Sequence, residues 1–163
     1  MREIGIRSGL ILIIIVGYFV LLRPARGLIN EAVYQPVAEY VVQAQPGFSF
    51  AGDAKTVSNH LLIEEDIGIE EIYFTVSFGL HFLLACIGLI MIKAERKYYG
   101  YLILIQLATG LLSIVFLAFT NLISLQFISL TDFTIRYLNP LCSLGLVPLA
   151  FTLQKRTVNE QRS

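Results

Sequence analysis

From Tyr98 to Thr131 the chain runs for 34 residues without an Asp, Glu, Lys or Arg. A bilayer core is about 30 Å thick and needs roughly 20 apolar residues as helix to cross it, so this tract exceeds one crossing. Between Tyr98 and Gln154 the only charges are Asp132 and Arg136. The composition agrees: 56% of the 163 residues are hydrophobic and 15% charged, with a mean hydropathy of +0.71. Soluble domains run at about 45–50% and about 25%. Such an apolar content excludes disorder, and two cysteines cannot build a disulfide scaffold. A net charge of zero removes the basic footprint of a nucleic-acid binder. An integral membrane protein in contact with the lipid bilayer is expected.

Four spans are expected. The first, about 8–23, carries the apolar core LILIIIVGYFVLL behind Arg7. It has the look of a signal peptide, but Arg23-Pro24-Ala25-Arg26-Gly27 offers no small-x-small cleavage site, so a retained anchor is expected. The second covers 72–92 and is closed by Lys93, the third covers 98–121, and the fourth covers 133–154 and is closed by Lys155 and Arg156. Asn121, Ser124, Gln126, Ser129 and Thr131 predict a break in the helix between the last two. Basic residues set the orientation. Arg2 and Arg7, then Lys93, Arg96 and Lys97, then Lys155, Arg156 and Arg162 make eight of the twelve, and four spans put them all on the cytoplasmic side. The opposite side receives Arg23 to Glu71, with eight acidic and three basic residues. Arg23 and Arg26 sit on the wrong side for this rule and are read as snorkelling to the outer headgroups.

The outer segment, 24–71, is too long for a bare loop. Apolar residues recur at three- and four-residue intervals from Leu28 to Gln43, which predicts an amphipathic helix on the membrane surface, kinked at Pro36. After Pro46-Gly47, the stretches Phe48–Phe50 and Val57–Ile63 flank Ala51-Gly52-Asp53-Ala54 and predict a small β-hairpin. The expected fold is therefore an all-α membrane protein, one domain over 1–163, with this segment between helices one and two.

Few residues invite chemistry. His81 lies mid-span, where an ionisable side chain is a functional hypothesis by default, and Cys86 follows it. Five residues at 100° each set the two about 140° apart around a helix, so they share no face. The plain alternative is a neutral His81 bonded inside the bundle and Cys86 packed as a small hydrophobe. Asp132 and Arg136 are an i,i+4 pair at the start of span four, either an interfacial anchor or, with Asn139, a site for a partner carboxylate. Pro140 and Pro148 are expected to bend that helix. There is no HExxH, GxSxG, GxxxxGK[ST], GxGxxG or CxxC. No cofactor or metal is expected. The weak catalytic candidates are Cys86 and His81, and the partner-binding candidates are Asp132, Arg136, Asn139 and His81.

The run Thr131-Asp132-Phe133, then Arg136-Tyr137-Leu138-Asn139-Pro140, then Gly145-Leu146-Val147-Pro148-Leu149-Ala150-Phe151 resembles small membrane proteins associated with bacterial exosortases. The one-plus-three spacing of spans and the outer segment resemble them too. The resemblance implies a bacterial inner-membrane protein that accompanies an exosortase-like transpeptidase in protein sorting or surface export. Exosortases themselves use a membrane Cys, then Arg, then His in chain order. Here Cys86 and Arg136 keep that order, but His81 precedes the Cys and no His follows Arg136. That departure points to a non-catalytic accessory protein. A cysteine-based membrane peptidase and a small structural subunit of a respiratory or secretion complex stand as the other two readings.

Overall fold

Four prolines that look like helix breakers, Pro24, Pro36, Pro140 and Pro148, lie inside helices, and for the first three the backbone shows how. The computed structural model describes residues 2–44, 48–53, 58–65, 68–123 and 126–160. Helix α1 runs without interruption over 2–44, its α-helical stretches joined by single π-turns at Tyr18–Leu22 and Asn30–Tyr34. Each π-turn closes one residue before an X-Pro step. Arg23 N donates to Tyr18 O ahead of Pro24, and Gln35 N donates to Asn30 O ahead of Pro36. A proline in an α-helix clashes with the carbonyl four residues back and donates no hydrogen bond. For Pro24 and Pro36 that carbonyl belongs to Val20 and Ala32, the middle residues of the widened turns. The wider i→i+5 turn accommodates the ring. The expected break after residue 23 and the separate surface helix are thus corrected to one long helix.

Three strands follow: β1 Phe48–Asp53, β2 Ser58–Glu65 and β3 Gly68–Thr75, an antiparallel sheet in the order β1-β2-β3. Phe48 pairs with Ile63, and Ser58 pairs with both Asp53 and Thr75. The expected two-stranded hairpin is corrected to this three-stranded meander. Its third strand absorbs Ile72-Tyr73-Phe74-Thr75, aromatic and β-branched residues that suit a pleated surface. The expected turns at Pro46-Gly47 and about Ala54 lie outside the described residues.

Helix α2, Leu80–Met91, is therefore only the second part of the expected 72–92 span. Lys93, at φ 56°, turns the chain, with Ala94 N donating to Leu89 O at 2.9 Å. Helix α3, Arg96–Leu122, matches the third expected span closely. Helix α4 covers 126–160 with a third π-turn, Thr134–Leu138, ahead of Pro140. Most of the expected gap 122–132 is thus helical, and Ser124 lies outside the described residues. Thr131 Oγ1 donates to Phe127 O at 3.1 Å and Thr134 Oγ1 to Leu130 O at 2.8 Å, so these hydroxyls are satisfied within the helix.

The first part of α1 packs on α2, and its last part, Gln35–Ala44, packs on α3; α4 packs on α2 and α3. Two apolar layers result. One joins Tyr34, Ala38, Val41, Val76, Leu117 and Ile128 on the sheet side, and the other joins Ala85, Cys86, Leu89, Tyr98, Leu102, Leu146 and Ala150. Among the described residues two helices, Gly5–Ala44 and Arg96–Thr120, are long and apolar enough to cross a membrane.

Candidate functional site

Between β3 and α2 the segment 76–79 belongs to neither sheet nor helix, so its backbone groups need other partners. They find them between the two apolar layers. Arg26 reaches in from α1: Nε donates to Ser77 O at 2.9 Å, Nη2 to Val76 O at 2.7 Å, and Nη1 to Tyr18 Oη at 3.2 Å. Its side chain is held inside, 9% exposed. Phe78 sits at φ 63°, a left-handed conformation that costs a non-glycine residue about 1–2 kcal/mol. Its amide donates to Gln106 Oε1 at 2.6 Å.

Gln106, fully buried on α3, is bonded through both its oxygen and its nitrogen. Its Nε2 donates to Asn139 Oδ1 at 2.8 Å and to Ser143 Oγ at 2.6 Å, both on α4. Ser143 Oγ in turn lies 2.7 Å from Asn139 O. One turn further along α3 the backbone comes close to the 76–79 segment: a Cβ on Gly110 would stand 2.5 Å from Ser77 Oγ. Tyr34 Oη completes the layer, 3.3 Å from Gly110 O and 3.2 Å from Ser113 Oγ. Beside it a cleft of about 180 Å³ opens between Ile29, Ser77, Phe78, Gln106, Leu107 and Leu111.

The structure sorts the residues singled out from the sequence into three places. His81 and Asn139 come together: Asn139 and Gln106 lie beside the imidazole, whose buried Nε2 has no hydrogen-bond partner. Arg136 is separated from Asn139. The π-turn Thr134–Leu138 directs it outward to Asp132, Nε to Oδ1 at 2.6 Å, with the two side chains 42% and 24% exposed. Arg136 is thus ion-paired with Asp132, whereas Asn139 is buried and bonded to Gln106 and Ser143. Cys86 packs in the apolar layer among Leu89 and Leu102, away from the polar side chains that surround His81. Cys142 is half-buried on α4. Among the described residues no group of three His, Cys, Asp or Glu side chains could hold a metal.

Four contributors went unrecognised: Arg26, Tyr34, Gln106 and Ser143. Two had signals. Arg26 violates the distribution of basic residues, and Gln106 is the only amide side chain between Tyr98 and Thr120. An amide there has to find bonds or remain an expensive orphan. Among the described residues no carboxylate lies against Arg26, whose electrostatic neighbours are Tyr18, Arg23 and Tyr34. Chemically the layer is a set of mutually hydrogen-bonded polar side chains, donors and acceptors together, with one cation among them. No protein-family profile, curated protein or solved structure matches the chain.

Proposed function

We propose that the chain is a multi-pass protein of the bacterial cytoplasmic membrane with both ends in the cytoplasm. We further propose that it serves as a non-catalytic accessory subunit of an exosortase-like transpeptidase in protein sorting or surface export. The membrane part is supported by large apolar side chains turned outward on every helix, among them Leu21 at 72%, Leu111 at 65% and Leu141 at 71% exposure. Water penalises such a surface, whereas lipid tails match it. Arg7 Nη1 and Gln154 Nε2 both reach carbonyls at the end of α2, Met91 O at 3.3 Å and Lys93 O at 3.5 Å. This gathers three of the basic clusters at one end of the bundle, as the positive-inside rule asks.

The observation that carries the accessory reading is how the polar layer is used. Its hydrogen bonds run to the protein's own backbone at Val76, Ser77 and Phe78 or among Gln106, Asn139 and Ser143. That is the pattern of a layer that shapes a bundle. A nucleophile needs a base within hydrogen-bond reach, and Cys86 packs in an apolar cluster with Leu89, Leu102 and Tyr98, to which His81 does not belong. The partner's identity comes from the resemblance of residues 131–151. The test is co-expression of the full chain with the exosortase-like protein of the same genome, followed by gel filtration in mild detergent. Co-elution is expected, and separate elution overturns the reading. Orientation is tested with Asp53→Cys and Arg162→Cys in a background without Cys86 and Cys142. An impermeant thiol reagent on intact cells should label the first and not the second.

A further inference from the structure

We infer that Arg26, with His81 beside it, is a docking point within the membrane for a carboxyl group carried by a transmembrane helix of the partner, seated in the groove between α1 and α2. The inference rests on the accessory reading and gives its partner a chemistry. A guanidinium carries five N–H donors, and Arg26 uses three of them, on Val76 O, Ser77 O and Tyr18 Oη. Two N–H groups and a full positive charge are left in a side chain 9% exposed, with no carboxylate against it among the described residues. A buried cation without a counter-charge is costly. Inside a bilayer such residues pair or mark a functional path.

The second observation is His81. Its Nε2 is buried without a partner, and its ring and the arginine head converge on one glycine. A Cβ on Gly79 would meet His81 Cε1 at 3.0 Å, His81 Nδ1 at 3.3 Å and Arg26 Nη2 at 3.7 Å. Two heads able to donate hydrogen bonds thus lie side by side, packed close against the buried Gly79. The groove supplies a path for a helix. It holds about 340 Å³ between Ile13, Gly17, Leu21 and Phe82, Leu83, Cys86, and it includes Tyr18, the residue bonded to Arg26. A Cβ on Gly17 would meet nothing within 4 Å, so a neighbouring helix can approach closely there.

Depth selects the occupant. Arg26 holds Ser77, which abuts Gly110, and Gly110 stands 14 residues from Arg96 and 12 from Leu122. At 1.5 Å per residue that is about 21 and 18 Å from the ends of α3, beyond the ordinary reach of a lipid phosphate at the interface. An Asp or Glu on a crossing helix arrives at this depth already desolvated, and charge complementarity favours it.

The test needs no natural partner. The full-length chain is placed in phosphatidylcholine vesicles with a synthetic Leu-Ala helix of about 20 residues bearing one central Glu, and association is read by energy transfer. The same helix with Gln is the control. The Glu helix is expected to associate about tenfold more tightly, the scale of an interhelical polar contact. Arg26→Met should erase the difference. Because that change also strips two carbonyls of their donor, Gly17→Ile provides the second variant: it fills the groove without touching the polar layer, and it should weaken association while thermal unfolding stays unchanged. Equal binding of the Glu and Gln helices overturns the inference, as does undiminished binding by Gly17→Ile. Displacement of the Glu helix by one-fifth phosphatidylglycerol also overturns it and makes Arg26 a lipid-phosphate site. Failure here leaves the co-elution result standing, and failure of co-elution leaves this one.

Discussion

Leu102 and Gln106 lie one turn apart on the same face of α3, and both are fully buried, yet they belong to opposite kinds of interior. Around Leu102 the neighbours are helices whose backbone bonds are already made, and the contacts are purely steric. Gly88 shows how close they are, since a Cβ there would meet both methyls of Val147 at 3.0 Å. Around Gln106 one neighbour is the unpaired backbone of 76–79, and every contact is a directed hydrogen bond. The difference teaches that polar side chains gather here because the backbone demands them. Where β3 gives way to α2, amides and carbonyls lose their ladder, and Arg26, Gln106, Asn139 and Ser143 replace it. Irregular backbone at membrane depth is tolerated only where protein or trapped water satisfies it.

That contrast can be broken by mutation, most severely at Arg26. Arg26→Met leaves two buried carbonyls without a donor, at about 1–3 kcal/mol each. Titration of the detergent-solubilised protein with SDS should show a loss of about 2–6 kcal/mol, and a loss no larger than that of a surface variant would remove the polar layer's structural role. In the apolar layer, Leu102→Ala should cost about 2–3 kcal/mol, the low end for core truncations, because in the proposed membrane setting lipid surrounds the unfolded reference helices too. The two layers would be indistinguishable if its cost equalled that of Arg26→Met. Gln106→Leu keeps volume and removes three hydrogen bonds, and about 1–2 kcal/mol is expected. Its sharper readout is amide hydrogen exchange at Phe78, which should accelerate while Leu102 exchange does not. Smallest of all is Arg136→Gln. The Asp132–Arg136 pair is partly exposed, where such pairs contribute about 0–1 kcal/mol. A larger cost would show that Arg136 reaches a partner after all.

The parts of this molecule that were legible in the sequence are those governed by hydrophobic length and charge. Apolar length predicts a span over 98–121, and α3 is Arg96–Leu122. The failures share a cause in backbone hydrogen bonding, which composition does not display. The first span ends at about residue 23 by apolar length and Pro36 predicts a kink, but a turn wider by one residue carries Pro24 and Pro36 inside α1. The same device before Pro140 separates Arg136 from Asn139, three residues apart and expected to act together. Residues 72–75 are as apolar as the helix that follows, and only pairing with β2 makes them strand. Local sequence predicts that Arg26 snorkels outward, whereas its carbonyl partners lie 50 and 51 residues away in the chain.

Helix α2 has 12 residues, about 18 Å of rise, and its outward side chains Leu80, Leu84 and Met91 are exposed. If the bundle crosses a bilayer as proposed, the lipids on that flank face an apolar wall roughly 12 Å shorter than a core of about 30 Å. A bilayer adapts to such a mismatch by thinning, at a fraction of a kcal/mol for each Å. The protein would then be lopsided in the thickness it imposes, thin beside α2 and ordinary beside α3. A second protein with a similarly short wall would share the thinned zone and relieve its cost. Through this purely elastic attraction the lipid would bring companions to the α1–α2 side before any side chain meets another.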